Sequence, residues 1–301
     1  MSLSDRIKKP LVIVNPNANE GRALEKSEPV IYSLRSAGFY CDVETPTTRE
    51  EAIEIVRKDW MHEVIFGFGG DGTNNAIMNG LMQNRYREDK ILVALSGGSA
   101  NNIAEECGYG NLNNVCDNLI KGTEEEMDAW RVNEKEILWG FGCMGFGAAV
   151  LEERDKRRFF KRKMAYVAGA LRVIFRYTPN SMRLKIDREE VDKDVYIGVV
   201  SNITLYADKM KIAPNAVSND GQMDLCIMEN LGTILQNLPA VYTGNHIKNP
   251  GVYNNKAESL VIDSSVPVQL EVDGEFLGKY DRFKFEHAGR IRVLVANGNN
   301  H

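Results

Sequence analysis

Cysteine is sparse in this chain and shows no pairing pattern. Cys41, Cys107, Cys116, Cys143 and Cys226 are scattered, odd in number, and contain no C-x-x-C pair. That spacing argues against a disulfide framework and a cysteine zinc site, and reduced thiols are the expected state. A basic excess is also missing: 37 Lys and Arg stand against 42 Asp and Glu, a net charge of −5, so no nucleic-acid partner is expected. The longest uncharged apolar run, Ile137 to Leu151, is too short and too glycine-rich to span a bilayer. Near the start, polar Asp5-Arg6-Ile7-Lys8-Lys9 runs into an apolar segment and does not read as a targeting signal. No internal repeat or low-complexity tract is visible. His62, His246, His287 and His301 are isolated in sequence, so no histidine metal site or histidine catalysis is expected. A soluble cytoplasmic protein is the expectation.

What is present is ordinary globular composition, 43% hydrophobic and 26% charged over 301 residues, a length that suggests two domains. The first part alternates strand and helix. Leu11-Val12-Ile13-Val14 reads as a buried strand, and Asn15-Pro16-Asn17-Ala18-Asn19-Glu20-Gly21 as its exit loop. A helix follows over Glu28 to Ala37, with Gly38 suited to its C-terminal cap. Tyr40 to Glu44 is a second strand, and Thr48 caps a helix running to Lys58. Glu63 to Phe66 and Ile91 to Leu95 are the third and fourth strands. Such alternation predicts a parallel sheet covered on both faces.

Loops at the carboxyl ends of neighbouring parallel strands converge in one crevice. Here those loops are polar and rich in glycine and asparagine. The third strand runs into Gly67-Phe68-Gly69-Gly70-Asp71-Gly72-Thr73, then a helix start, and the fourth into Ser96-Gly97-Gly98-Ser99-Ala100-Asn101-Asn102. A glycine turn opening a helix offers backbone N–H groups and the positive helix end to an anion. Asp71 would repel a bare phosphate, which points to a metal ion between them. The competing reading is an ordinary turn with glycines chosen for positive φ. The stretch is neither a Walker A loop nor the dinucleotide fingerprint.

Beyond about Asp128 the pattern changes. Helical periodicity returns over Glu152 to Arg176. Otherwise short β-type runs dominate: Ser181 to Ile186, Val195 to Ser201, Met223 to Met228, Leu260 to Ile262, Val268 to Val272 and Phe283 to Phe285. A second domain of mainly antiparallel strands is expected.

Four motifs, spread from Val12 to Glu275, resemble those of the diacylglycerol kinase-like lipid kinases, which include sphingosine kinases and bacterial relatives. They are Asn15-Pro16; Gly69 to Thr73 with Asn79-Gly80-Leu81; Ala213-Pro214-Asn215-Ala216 with Asp220-Gly221-Gln222-Met223-Asp224; and Val272-Asp273-Gly274-Glu275. The first alone is shared with NAD kinases and phosphofructokinases. The resemblance implies an α/β plus β fold. A Rossmann-like, NAD kinase/diacylglycerol kinase-like nucleotide domain would span residues 1–128, with about 282–301 returning to it. A β-sandwich-like lipid domain would span 129–281, with ATP between the two.

It also implies roles. Asn15, Gly69, Gly70, Gly72, Thr73 and the Gly98-Ser99-Ala100-Asn101 loop would contact ATP, with Thr45 matching a nucleotide-side threonine at one residue of offset. Asp71 would hold Mg²⁺ or a water network against the phosphates. Asp220 would ligate a metal, with Val217 and Gln222 beside it completing an oxygen shell. Asp273 and Glu275 lie two apart, so on a strand both would face one side. One of them is the implied general base, and spacing does not choose between them. A solvated acidic hairpin turn is the plain alternative.

The chain departs from the family pattern at four places. Ala76 replaces a glutamate, Asn102 an aspartate, Gly147 an aspartate, and Tyr206-Ala207 a glycine-rich stretch. Arg154-Asp155-Lys156-Arg157-Arg158-Phe159-Phe160-Lys161-Arg162-Lys163 precedes the apolar helix Met164 to Tyr177, and segment 154–177 suits peripheral docking on anionic headgroups. A solvated charged helix is the alternative there. The reading is therefore an ATP- and Mg²⁺-dependent lipid kinase at the inner face of a membrane, with a homodimer left open. NAD kinase-like activity and a catalytically weak nucleotide- or lipid-binding sensor are its rivals.

Overall fold

A computed structural model describes residues 9–98, 101–113, 115–155, 173–174 and 176–296. The chain divides into two compact units, Met1–Met127 with Gly289–His301, and Asp128–Ala288.

In the first unit, strands β1 (Leu11–Val14), β2 (Asp42–Glu44), β3 (Val64–Gly69) and β4 (Ile91–Ser96) form a parallel sheet in the order β2-β1-β3-β4. Every residue of β1 and β3 is buried, as expected for strands covered on both faces. The connecting helices are α1 (Ala23–Ser36), α2 (Arg49–Lys58) and α3 (Asp71–Met82), followed by the short α4 (Asn102–Glu106) and α5 (Val115–Lys121). Helix α2 starts where its cap lies: the Glu51 N–H donates to Thr48 Oγ1 at 3.1 Å, and the Glu51 carboxylate accepts from the Thr47 N–H at 2.7 Å. Gly38, with φ of +91°, follows α1 as the left-handed exit the sequence suggested.

The second unit is antiparallel. It holds the second half of β5 (Thr123–Val132), and β6 (Glu136–Leu138), β7 (Phe141–Gly145), β8 (Asn180–Ile186), β9 (Glu189–Val195), β10 (Ile197–Ser201), β11 (Met223–Met228), β12 (Val252–Ala257) and β13 (Ser259–Val272). Strand β14 (Glu275–Val295) begins in this unit and ends in the first, where it runs parallel to β4. Strand β13 pairs with β8 through Leu260–Ser264 and with β7 through Leu270–Val272, so one long strand joins two sets of neighbours. Between them lies one apolar core that includes Trp130, Leu184, Leu225, Leu270, Phe283 and Phe285, the centre of a β-sandwich-like domain.

Helices α6 (Phe146–Asp155) and α7 (Leu231–Val241) also belong to the second unit. Most of segment 154–177, the expected membrane-docking stretch, lies outside the described residues. Helix α7 was not legible from periodicity because its polarity is inverted. Thr233 and Asn237 are buried while Leu235 and Leu238 are exposed. Asn237 is satisfied internally, donating to the Thr233 carbonyl at 2.8 Å and accepting from Asn249 at 2.6 Å. Strand β9 (EEVDKDV) was hidden by its charges; only its pairing with β8 makes it a strand.

Candidate functional site

In the first unit the three polar loops do converge at the carboxyl ends of β1, β3 and β4. Asn15 Nδ2 donates to Thr73 Oγ1 at 3.1 Å, joining the first loop to the first turn of α3. The Gly97 N–H donates to the Gly69 carbonyl at 2.9 Å, joining the loops after β3 and β4. Asn101 closes its own turn, accepting from the Gly98 N–H at 2.9 Å and donating back to the Gly98 carbonyl at 3.1 Å. Ser99 and Ala100 lie outside the described residues. Thr45 is exposed just past β2, and no hydrogen bond joins it to Asn15 or Thr73.

Gly69 and Gly98 allow close approach rather than supply positive φ. Gly69, Gly70, Gly72 and Gly98 are not among the described positive-φ glycines. A Cβ on Gly98 would strike the Gly70 backbone, lying 2.6 Å from its nitrogen, and one on Gly69 would strike the Thr73 side chain. Two backbone segments therefore touch where the expected anion-binding turn opens α3.

Asp71 is buried beneath this contact at 3% exposure. Its Oδ2 accepts from the Asn102 N–H at 3.2 Å and from Asn102 Nδ2 at 2.8 Å, and its Oδ1 accepts from the Ile103 N–H at 3.1 Å. A carboxylate offers roughly four acceptor sites, and protein donors fill at least three of them. The expectation that Asp71 grips Mg²⁺ directly is not what this geometry favours. It anchors the loop after β4 to the start of α3. Asn102 now has a physical reading: an aspartate there would set two carboxylates against each other, whereas the amide donates.

In the second unit, the acidic motif is not one face of a strand. Val272 pairs with Glu275, so Asp273 and Gly274 form a two-residue hairpin loop, and their φ values of +48° and +84° are those of a type I′ turn. The premise that both carboxylates face one side is corrected by this turn. Asp273 is fully buried and accepts from three backbone N–H groups, those of Trp139 (3.0 Å), Gly140 (2.9 Å) and Phe141 (2.8 Å). Its own N–H donates to the Phe141 carbonyl at 2.9 Å. Asp273 thus clamps the β6–β7 connection to the hairpin. Glu275, at the start of β14, is exposed.

The sequence reading missed Glu271, buried at 5% on β13 and within 3.5 Å of the Tyr206 hydroxyl. A lone acid in an apolar run carries no signal until its neighbours are known. Tyr206 also explains Gly147: a Cβ there would meet Cys143 Sγ at 2.5 Å and the Tyr206 hydroxyl at 2.9 Å, leaving no room for an acid. Burial, with the nearby Glu271 charge, pushes the Cys143 thiol well above its usual range. The glycine-poor stretch keeps a glycine-like backbone, since Ala207, Asp208 and Lys209 all have positive φ.

The expected metal loop does not fit a divalent ion. Asp220 Oδ2 lies 2.8 Å from Lys256 Nζ, and Asp224 Oδ2 lies 3.5 Å from the same nitrogen. Asp220 Oδ1 accepts from the Gln222 N–H at 2.9 Å, and the Val217 carbonyl accepts from the Asp220 N–H at 3.4 Å. Among the described residues no group of three His, Cys, Asp or Glu side chains is placed to hold a metal. Burial pushes the Asp224 carboxyl up to about 6, with Lys256 opposing and Asp220 adding to the rise. Burial also lowers the Lys256 pKa, but its hydrogen bond to Asp220 and the two carboxylate charges outweigh that and hold it above the ordinary value.

The chain thus carries a parallel α/β unit with knit glycine loops and, separately, a β-sandwich-like unit with an acidic hairpin. The diacylglycerol kinase catalytic domain matches residues 9–132, and the YegS C-terminal NAD kinase beta sandwich-like domain matches residues 141–295. The chain therefore belongs to the diacylglycerol kinase-like lipid kinases, phosphotransferases with an alcohol acceptor. It is 26% identical over 254 residues to the "Probable lipid kinase YegS-like" of Shewanella frigidimarina, covering 81% of each chain. It is 23% identical to the diacylglycerol kinase of Bacillus subtilis, covering 90% of this chain and 91% of that one. A solved diacylglycerol kinase structure from Bacillus anthracis shares the fold with a TM-score of 0.69 at 18% identity, covering 97% of both chains. No helix among the described residues is long and apolar enough to cross a membrane.

Proposed function

We propose that this kinase transfers the γ-phosphate of ATP, supplied with Mg²⁺, to a hydroxyl of a diacylglycerol-like or sphingoid-like lipid at the inner face of a membrane. The observation that carries the assignment of roles is the contrast within the acidic hairpin. Asp273 commits its carboxylate to three backbone N–H groups, while Glu275, two residues further on, is exposed. Glu275 is the general base: it takes the proton as the lipid hydroxyl oxygen bonds to the γ-phosphorus and the bond to the ADP oxygen breaks. Asn15, Gly69, Gly70, Gly72, Thr73, Gly98 and Asn101 cradle the nucleotide, with Ser99, Ala100 and Thr45 as further contacts. Asp71 positions the two loops that form the cradle. The two compact units serve as the nucleotide and lipid domains, and segment 154–177 docks on anionic headgroups.

The test is phosphate transfer from labelled MgATP to diacylglycerols, sphingoid bases and NAD in parallel. A labelled lipid supports the reading; labelled NADP without lipid product overturns it. The sensor reading is favoured by Asn102 and Ala76, which remove acids from the nucleotide side, and nucleotide binding without transfer to any acceptor would select it.

A further inference from the structure

In the second unit, Asp220 sits in the loop entering β11 and Asp224 lies on β11 itself. Lys256 stands directly across from Asp224 on β12. Its ammonium therefore reaches both carboxylates, at 2.8 Å and 3.5 Å, with the lysine side chain only 32% exposed. The same loop is fastened twice more without any ion. The fully buried Asp128 accepts from the Gly221 N–H at 2.7 Å, and the Asp128 N–H donates to the Ser218 carbonyl at 2.7 Å. Gly221, with φ of +73°, supplies the left-handed turn this requires.

We propose that Lys256 is a built-in cation that takes the place of a divalent metal at the Asp220 loop, so that the fold of this domain is independent of divalent ions. A structural ion at such a loop neutralises converging carboxylates and ties the loop to the sheet. Both tasks are done here by a side chain and by Asp128. A hard ion also needs about six or more oxygens at roughly 2.1–2.6 Å. An ion at that distance from Asp220 Oδ2 would occupy the ground on which the ammonium stands and meet its positive charge. Lys256 would have to leave both carboxylates for the ion to enter. On the kinase reading above, the divalent ion this enzyme uses is then only the one that arrives with ATP.

The test needs no activity. Full-length wild type, Asp220→Asn, Lys256→Met and the double variant are unfolded thermally, without nucleotide, in EDTA and in 10 mM CaCl₂ or MgCl₂. Wild type and Asp220→Asn are expected to respond identically to divalent ions. Lys256→Met, which leaves two unneutralised carboxylates, is expected to lose Tm in EDTA and to regain about 3 °C with the ion, the shift for a site of about 1 mM affinity. The double variant should lose that gain. Failure of Lys256→Met to gain a divalent response overturns the proposal. So does a saturable calcium or magnesium titration of wild type by calorimetry that disappears in Asp220→Asn. That comparison decides the matter even if Lys256→Met does not fold.

Discussion

The side-chain amide of Asn102 donates to the Asp71 carboxylate at 2.8 Å, and the Asn102 and Ile103 backbone N–H groups donate to the same carboxylate. A buried carboxylate met by charge-assisted donors from the next loop is a strong tie. Asp71→Asn should lower stability by about 1–3 kcal/mol and reduce turnover to background. Unfolding in urea and a phosphate-transfer assay check the two effects, and near-normal turnover would remove Asp71 from the mechanism.

Asn102→Asp would set a second carboxylate within hydrogen-bonding distance of the first. Like charges held that close cannot both ionise without cost. The variant should lose Tm at pH 7 and regain it toward pH 5 as the pair shares a proton. Thermal unfolding across that range reads the effect directly, and a flat difference from wild type would contradict it.

Asp273 and Glu275 should separate cleanly. Asp273→Ala leaves three buried N–H donors without an acceptor, a loss on the order of 3 kcal/mol or more. Glu275→Gln, at an exposed position, should change Tm little and abolish phosphate transfer. The opposite pattern, a stable Asp273→Ala or an active Glu275→Gln, would reverse the proposed roles.

Gly98→Ala tests the backbone contact beneath the proposed nucleotide loops. The new Cβ meets the Gly70 backbone, which cannot swing away as a flexible side chain would. ATP affinity is expected to fall about tenfold or more, which corresponds to at least about 1.4 kcal/mol. Isothermal titration with ATP measures it.

The end of the first unit opposite the loops carries a buried ion network. Lys90 Nζ, 2% exposed, lies 2.6 Å from Asp59 Oδ2 and 2.6 Å from the His62 carbonyl, and His62 Nδ1 lies 2.6 Å from Asp59 Oδ1. Burial alone would raise the Asp59 carboxyl, but hydrogen bonds and charge from Lys90 and His62 win and hold it below its ordinary value. The unfolded chain then takes up the Asp59 proton first as pH falls. The contribution to stability is complete above about pH 4 and is lost as pH drops through the lower folded value. Asp59→Asn should cost about 3–5 kcal/mol at pH 7, because it strands a buried ammonium. Urea unfolding at pH 7 and pH 3 should show the deficit shrinking in acid.

Much of this protein could be read from local pattern. Continuous apolar runs marked β1, β3 and β4, Thr48 marked a helix start, and the polar loops after those strands marked where chemistry-bearing backbone converges. These signals survive because they act over a few residues. At positions 273 and 274 strand spacing suggested a shared face; the hairpin turn stood only as the alternative, and Asp273 in it is buried rather than solvated. Helix α7 failed the periodicity rule because its polar residues are satisfied internally and turned inward.

Local pattern thus placed the parallel strands of the first unit and the chemistry-bearing loops. The work each carboxylate does was settled by the fold. Asp273 is occupied by backbone more than 130 residues away, Asp220 by a lysine 36 residues away, and Asp71 by a loop 31 residues on. A carboxylate's availability depends on its desolvation and on the donors that reach it. Those donors come from segments that only folding brings close, so identical letters in a motif can mean a clamp, a counter-ion or a base.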